Sequence, residues 1–157
     1  MPVKARAASL RVRLVNREDA AALVPLFEAF YGTYFGEPVV EGTVARRLRQ
    51  VESFETVVVA EGGGRLVGFA SLRVTPSLDP TPYAEMTELF VESDSRRLGV
   101  ASRLVKYLEG LAKEQGATHM VVLTGPMNTE AQTFYRNAGY EQYAVAMRKS
   151  LQAPGTP

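Results

Sequence analysis

The chain has no cysteine among its 157 residues. That excludes disulfides, thiolate nucleophiles and thiolate metal sites, and it agrees with a reducing, cytoplasmic setting. Histidine is nearly as scarce: His119 stands alone. A multi-histidine metal centre or a serine–histidine–aspartate triad would have to rest on that one residue, so no metal is expected. Its place beside the apolar run Met120-Val121-Val122-Leu123 reads as the edge of a strand. Charge of one sign is also missing. Eighteen basic residues face seventeen acidic ones, for a formal charge of +1. No broad positive field is available for duplex binding, so nucleic acid is not an expected partner, and any anionic ligand must be held by a local site. Long hydrophobic runs are absent too. Stretches such as Val57-Val58-Val59-Ala60 fall far below the roughly 18–20 residues of a membrane span. The basic start MPVKARAAS has no apolar stretch behind it, so neither a signal peptide nor a membrane partner is expected.

What is present is an ordinary globular composition, 46% apolar. It predicts one domain over 1–157 with frayed ends at about 1–8 and 152–157, burying roughly 70% of the surface of the unfolded chain. Residues 9–15 alternate polar and apolar, a strand signal. Asn16 with Asp19 three residues on resembles a helix N-cap with an acid at N3. Leu23, Phe27 and Phe30 follow at helical spacing, with Pro25 predicting a kink or a later start. A second helix fits 40–50. Residues 55–60 and 65–74 flank Glu61-Gly62-Gly63-Gly64 as an antiparallel hairpin. A phosphate loop is the poorer reading of those glycines, since no Gly-Lys-Ser/Thr and no helix follows. A loop with three prolines leads to a strand over 83–92. A helix over 98–115 ends at Gly116, and an apolar strand over 118–124 follows, expected to be buried on both faces. Asn128 can cap a helix over 129–138, and a last strand is expected near 143–149. The simplest layered arrangement is a mixed sheet with helices on both faces.

The most informative stretch is 88–105, where a strand runs into a short polar turn that opens a long helix. The first N–H groups of a helix lack partners within it, and the dipole places about half a positive charge there. Gly99 lets a ligand approach the backbone without a Cβ in the way, and Ala101 keeps the next turn slim. Arg96 and Arg97 add cations at an end where the helix dipole disfavours them, by roughly 0.3–1 kcal/mol each. A bound anion would reverse that sign, and a diphosphate would fit. The plainer alternative is a solvated polar turn.

At these residues a family resemblance enters. Arg96-Arg97-Leu98-Gly99-Val100-Ala101 fits the Arg/Gln-x-x-Gly-x-Gly/Ala motif of the GNAT N-acetyltransferase superfamily. Leu89-Phe90-Val91 resembles the family's Leu-Tyr-Val strand. Asn128 to Tyr140, with Ala131, Phe134-Tyr135 and Gly139, is similar to its Asn…Ala…Phe-Tyr-x-x-x-Gly-Phe segment, and 143–151 resembles its last strand. The match covers about 85–150. It implies an α/β fold whose mixed, mostly antiparallel sheet has about six to seven strands around a central parallel, splayed pair.

The resemblance also implies acetyl-CoA as co-substrate. Its pyrophosphate would be held by Arg96, Arg97, Leu98, Gly99, Val100, Ala101 and Ser102, chiefly through backbone N–H groups. Its pantetheine arm would lie along Phe90 and Val91 and touch Asn128. Tyr135 falls where the family often places the acid that protonates the leaving thiolate; the alternative is a helix residue packing beside Phe134. Three positions depart from the pattern: Ser93 stands where proline is frequent, Arg97 where glycine is frequent, and Ala101 where glycine is frequent. None blocks a backbone cradle.

A thioester is electrophilic enough for direct attack by a neutral amine, which suits a chain without cysteine. Glu88 is the candidate base, with Glu85 second, either acting directly or through water. Strand alternation places Glu88, Phe90 and Glu92 on one face and Leu89 and Val91 on the other. The aromatic stretch 30–36 either borders an acceptor pocket or packs between helices. The expected function is therefore acetyl transfer to an amine whose identity is open. A non-catalytic acyl-CoA-binding or regulatory module is the alternative. An exposed final strand could also pair two chains as a homodimer.

Overall fold

The computed structural model describes residues 10–153 and 155. The expected frayed end at 1–8 lies outside the described residues, as does part of the one at 152–157. By contact density the chain divides into two compact units, Met1–Val122 and Leu123–Pro157.

The first unit runs β1 (Arg11–Leu14), α1 (Ala20–Tyr31), α2 (Glu41–Val51), β2 (Thr56–Gly62), β3 (Arg65–Val74), β4 (Tyr83–Val91), α3 (Val100–Glu114) and β5 (His119–Val122). The strands form one sheet in chain order, antiparallel from β1 to β4 and parallel between β4 and β5. The β2–β3 turn is Gly63-Gly64 with φ of 62° and 79°. Both residues are left-handed, as a two-residue hairpin whose twist matches its strands requires.

Adjacent residues of β3 show how the helices are layered, because successive side chains in a strand point to opposite faces. Phe69 packs on Phe27, Phe30 and Tyr31 of α1. Gly68 faces the other way, toward Val91 and Leu104 of α3. The sheet is therefore covered on both faces, with Leu23, Phe27, Val44, Val59 and Phe69 buried on the α1/α2 side.

At its entry α1 is braced electrostatically. The Asp19 carboxylate accepts the Asn16 N–H at 2.7 Å and receives Arg13 at 2.7 and 2.8 Å, while Arg13 also reaches Glu61 at 2.7 Å. The helix starts at Ala20, ahead of Pro25, and runs through it without a break. The later start that the proline predicts does not occur, because Leu23, Leu26 and Phe27 are buried and tertiary packing offsets one missing hydrogen bond. Thr43 caps α2 by accepting the Val40 N–H at 3.0 Å.

In the second unit, α4 (Thr129–Asn137) is capped by Asn128, whose side-chain oxygen accepts the Ala131 N–H at 3.1 Å. Gly139 follows with a φ of 92°. The strand expected at 143–149 is absent. Tyr143, Val145 and Met147 alternate as a strand would, yet they are 86%, 81% and 94% exposed. Alternation selects a face but does not supply the neighbouring ladder that a strand's backbone groups need. Among the described residues the sheet accordingly has five strands, not six or seven.

β5 also differs from expectation. It pairs only with β4 among the described residues; His119 is exposed and Met120, Val121 and Val122 are half-buried, not enclosed on both faces.

Candidate active site

The site begins where β4 and β5 part. Their parallel register runs from Tyr83 opposite His119 to Met86 opposite Val122 and stops there. β4 continues to Val91, still paired with β3 on its other side. Among the described residues, 87–91 of β4 therefore have no strand partner on the edge where β5 ends.

Beyond β4 the chain makes a short 3-10 turn at Ser93–Ser95 and enters α3 at Gly99. Glu92 is anchored by Arg65 and accepts the Ser95 hydroxyl at 2.6 Å. Gly99 has a φ of 81°, and no side chain caps the helix. The first bond of the helix backbone is from the Arg103 N–H to the Gly99 carbonyl at 3.1 Å. The N–H groups of Val100, Ala101 and Ser102 have no acceptor among the described residues. This is the uncapped amide array that an anion would complete.

The two arginines are not equivalent. Arg96 Nε donates to the Val91 carbonyl at 3.0 Å, and its guanidinium lies 6.0 Å from the centre of the Phe90 ring. It braces the turn and leaves its terminal nitrogens for other partners. Arg97 is exposed, with a φ of 60°, the one non-glycine residue described in the left-handed region. That conformation costs a side-chain-bearing residue about 1–2 kcal/mol. Leu98 is exposed beside it.

On the α1 face of β4, Glu88 lies within a polar cluster of the first unit. Burial and then the Glu55 charge push its carboxyl above the usual range, against a hydrogen bond from the Tyr31 hydroxyl and the charge of Arg47. The Tyr31 phenol is likewise held well above its ordinary value by burial and by Glu88 and Glu55. Next to Glu88, Thr87 is the extra residue of a β-bulge: Ser71 faces Glu88 and Leu72 faces Met86. The Thr87 hydroxyl lies 2.5 Å from the Ser71 hydroxyl and 3.1 Å from Glu55 Oε2. Bulges re-aim side chains beside functional sites. Glu85 is engaged elsewhere, in an ion pair with Arg73 at 3.2 Å. Phe90 joins the aromatic layer with Phe30 and Phe69, so Glu88 and Phe90 share the α1 side and Val91 the α3 side, as alternation predicts.

The aromatics of 30–36 mostly pack. Phe30, Tyr31 and Phe35 contact Phe27, Phe69 or one another, and Tyr34 alone is fully open. His119 is exposed at the start of β5, its ring 2.9 Å from the Thr118 hydroxyl. No three His, Asp or Glu side chains converge as a metal-holding group among the described residues.

In the second unit, Tyr135 is only 8% exposed and touches the rings of Phe134 and Tyr140. Burial pushes its phenol up to about 12, so it is a protonated donor at neutral pH. Asn128 uses its side-chain oxygen on the helix cap, which leaves its amide nitrogen as the group available to a ligand.

The sequence assigns no role to Glu55 or Thr87, and Tyr31 enters it only within the aromatic stretch 30–36. Nothing in a period-two pattern marks Thr87 as an inserted residue, and Glu55 and Tyr31 reach Glu88 only through the sheet's tertiary arrangement.

Comparisons with known proteins agree with this architecture. The model of the acetyltransferase (GNAT) family matches residues 22–140. The uncharacterized N-acetyltransferase YhfO of Bacillus subtilis (strain 168) is 28% identical over 147 residues, 92% of this chain and 99% of the relative. N-acetyltransferase family 8 member 2 of Rattus norvegicus is 33% identical over 99 residues; the match spans 59% of this chain and 43% of that longer protein. Among solved structures, AAC(6')-Iy in complex with the bisubstrate analog CoA-S-monomethyl-acetylneamine aligns with a TM-score of 0.78 at 18% identity, covering 93% of this chain and 100% of that one.

Proposed function

The chain belongs to the acetyltransferase (GNAT) family, and we propose that it transfers an acetyl group from acetyl-CoA to a primary amine by direct attack in a ternary complex. The observation that carries this reading is the uncapped amide turn of α3 standing at the end of β4, beside the edge that β5 leaves unpaired. A solved relative in fold holds CoA and an acceptor joined in one bisubstrate ligand, which supports a ternary arrangement.

In this reading the N–H groups of Arg97, Leu98, Gly99, Val100, Ala101 and Ser102 receive the CoA diphosphate, with Arg97 and the free nitrogens of Arg96 adding charge. The backbone of Phe90 and Val91 and the amide of Asn128 hold the pantetheine arm. Glu88 takes the proton that the ammonium must lose before it can attack; the nitrogen then bonds to the thioester carbonyl carbon, the carbon–sulfur bond breaks, and the second N–H proton replaces, through solvent, the one that Tyr135 gives to sulfur. A carboxylate whose proton affinity is raised by burial is a better base for an ammonium than a solvated one. The Tyr135 hydroxyl donates to the departing sulfur. The acceptor chemistry is set by the α1 side of β4, where Glu88, Glu55 and Tyr31 favour a cationic amine.

The test is release of free CoA thiol from acetyl-CoA in the presence of a panel of primary amines. Thiol release that depends on both protein and amine supports the proposal. Tight CoA binding with no release for any amine would replace it with a non-catalytic acyl-CoA-binding module.

A further inference from the structure

The β4 bulge has a brace that acetyl transfer as described does not use. Thr87 is the inserted residue, adjacent to Glu88 in sequence, and Ser71 is the cross-strand partner of Glu88. The Thr87 hydroxyl bridges these two strands to Glu55: it sits 2.5 Å from the Ser71 hydroxyl and donates to Glu55 Oε2 at 3.1 Å. Glu55 lies at the entrance of β2, outside β3 and β4 altogether. An inserted residue bends its strand and is left out of the ladder, so its side-chain bonds decide how the bulge is held.

We propose that Glu55 is a positioning residue for the Glu88 base: through Thr87 it holds the bulge from which Glu88 projects, and its own carboxylate faces the same cluster. The inference rests on the acetyl-transfer reading with Glu88 as base.

The groups that face Glu88 are Tyr31 from α1, Arg47 from α2, Glu55 from the start of β2, and Ser71 and Thr87 from β3 and β4. Tyr31 and Arg47 favour the ionised form, whereas burial and the Glu55 charge disfavour it. Glu55 is thus the one nearby side chain that raises the proton affinity of Glu88, and it is hydrogen-bonded to the residue beside it. One group sets both the aim and the strength of the base.

The two effects separate by mutation. Glu55→Gln keeps an acceptor for the Thr87 hydroxyl and removes the charge. Thr87→Val removes the hydroxyl at nearly constant shape and keeps the charge. Both are read by the pH dependence of kcat/KM with acetyl-CoA and a fixed amine, alongside Glu88→Gln, thermal melting, and the carboxylate carbon shifts of glutamate-labelled protein without substrate, with Glu88→Gln identifying the Glu88 signal. Glu55→Gln should move the acidic limb of the profile, and the Glu88 carboxyl titration, to lower pH. Thr87→Val should lower kcat by up to about 100-fold, the scale of a misplaced reacting group, with the limb unmoved. If Glu88→Gln abolishes the limb while Glu55→Gln leaves limb and titration in place, the positioning role is overturned and the acetyl-transfer reading survives. If Glu88→Gln keeps the wild-type profile, the base assignment fails and the role of Glu55 falls with it. A lower melting temperature for either Glu55→Gln or Thr87→Val with an unchanged profile and unchanged kcat means a structural role only, which also overturns the proposal.

Discussion

Gly68 of β3 lies directly against the carbonyl oxygen of Phe90 of β4: a Cβ on Gly68 would stand 2.7 Å from that oxygen, with Val91 at 3.3 Å and Leu104 at 3.4 Å on the same side. No real Cβ tolerates such an approach to backbone, so β4 must move if Gly68 gains a side chain. The movement falls on the last residues of β4, which carry the chain into the amide turn of α3.

Gly68→Ala is therefore expected to cost about 1–3 kcal/mol of stability, the range for an overpacked core. It should also weaken CoA binding beyond what reduced folding explains. Urea unfolding gives the first quantity, and CoA titration well below the unfolding transition gives the second. Wild-type stability in Gly68→Ala would mean that β3 and β4 are spaced more widely than described.

Arg97 occupies the left-handed region with a φ of 60°. Glycine adopts that conformation freely, so Arg97→Gly should relieve about 1 kcal/mol of strain, less the entropy that glycine adds to the unfolded chain. The same change removes a cation from the turn proposed to receive the CoA diphosphate. Arg97→Gly should accordingly melt no lower than wild type yet bind CoA more weakly, with a shallower salt dependence. Equal CoA affinity across salt concentrations would remove the Arg97 side chain from the site.

The Arg13–Asp19–Glu61 brace gives a pH signature of its own. Hydrogen bonding to Arg13 holds the Asp19 carboxyl below its usual range. A depressed folded-state pKa adds stability that is full above the unfolded value and is lost as pH falls through the folded one, so this contribution should begin to decline below pH ~4 and be gone only once pH is below the lowered value. Asp19→Asn should cost about 2 kcal/mol at neutral pH, the scale of charge-assisted hydrogen bonds, and the gap to wild type should close in acid. Urea unfolding from pH 7 to pH 3 checks both statements.

Much of this architecture is legible in the chain. Gly63-Gly64 between two β-rich runs announces a hairpin, and Asn128 announces α4. The turn at Arg96–Ala101 is recognisable because helix N-termini have unmet donors. What stays hidden depends on partners distant in sequence. The Thr87 bulge is defined by what lies across from it in β3. The role of Arg96 as a brace on Val91 depends on the path of the turn. Conversely, Tyr143, Val145 and Met147 carry a clear strand pattern without a strand, since pairing is a property of two segments.

Tyr135, with its phenol pushed up to about 12 by burial, should contribute no ionisation to the rate profile in the neutral range. Tyr135→Phe should lower kcat by roughly 100-fold, the lower range for a general acid, with CoA affinity unchanged. Steady-state kinetics alongside CoA titration separates the two, and an unchanged kcat removes Tyr135 from the mechanism.

The most direct measurement is an amide-resolved NMR titration of the protein with CoA. The N–H signals of Val100, Ala101 and Ser102 should shift downfield and saturate together, as unpartnered donors acquire a diphosphate. Saturable CoA binding that leaves those three signals in place would contradict it.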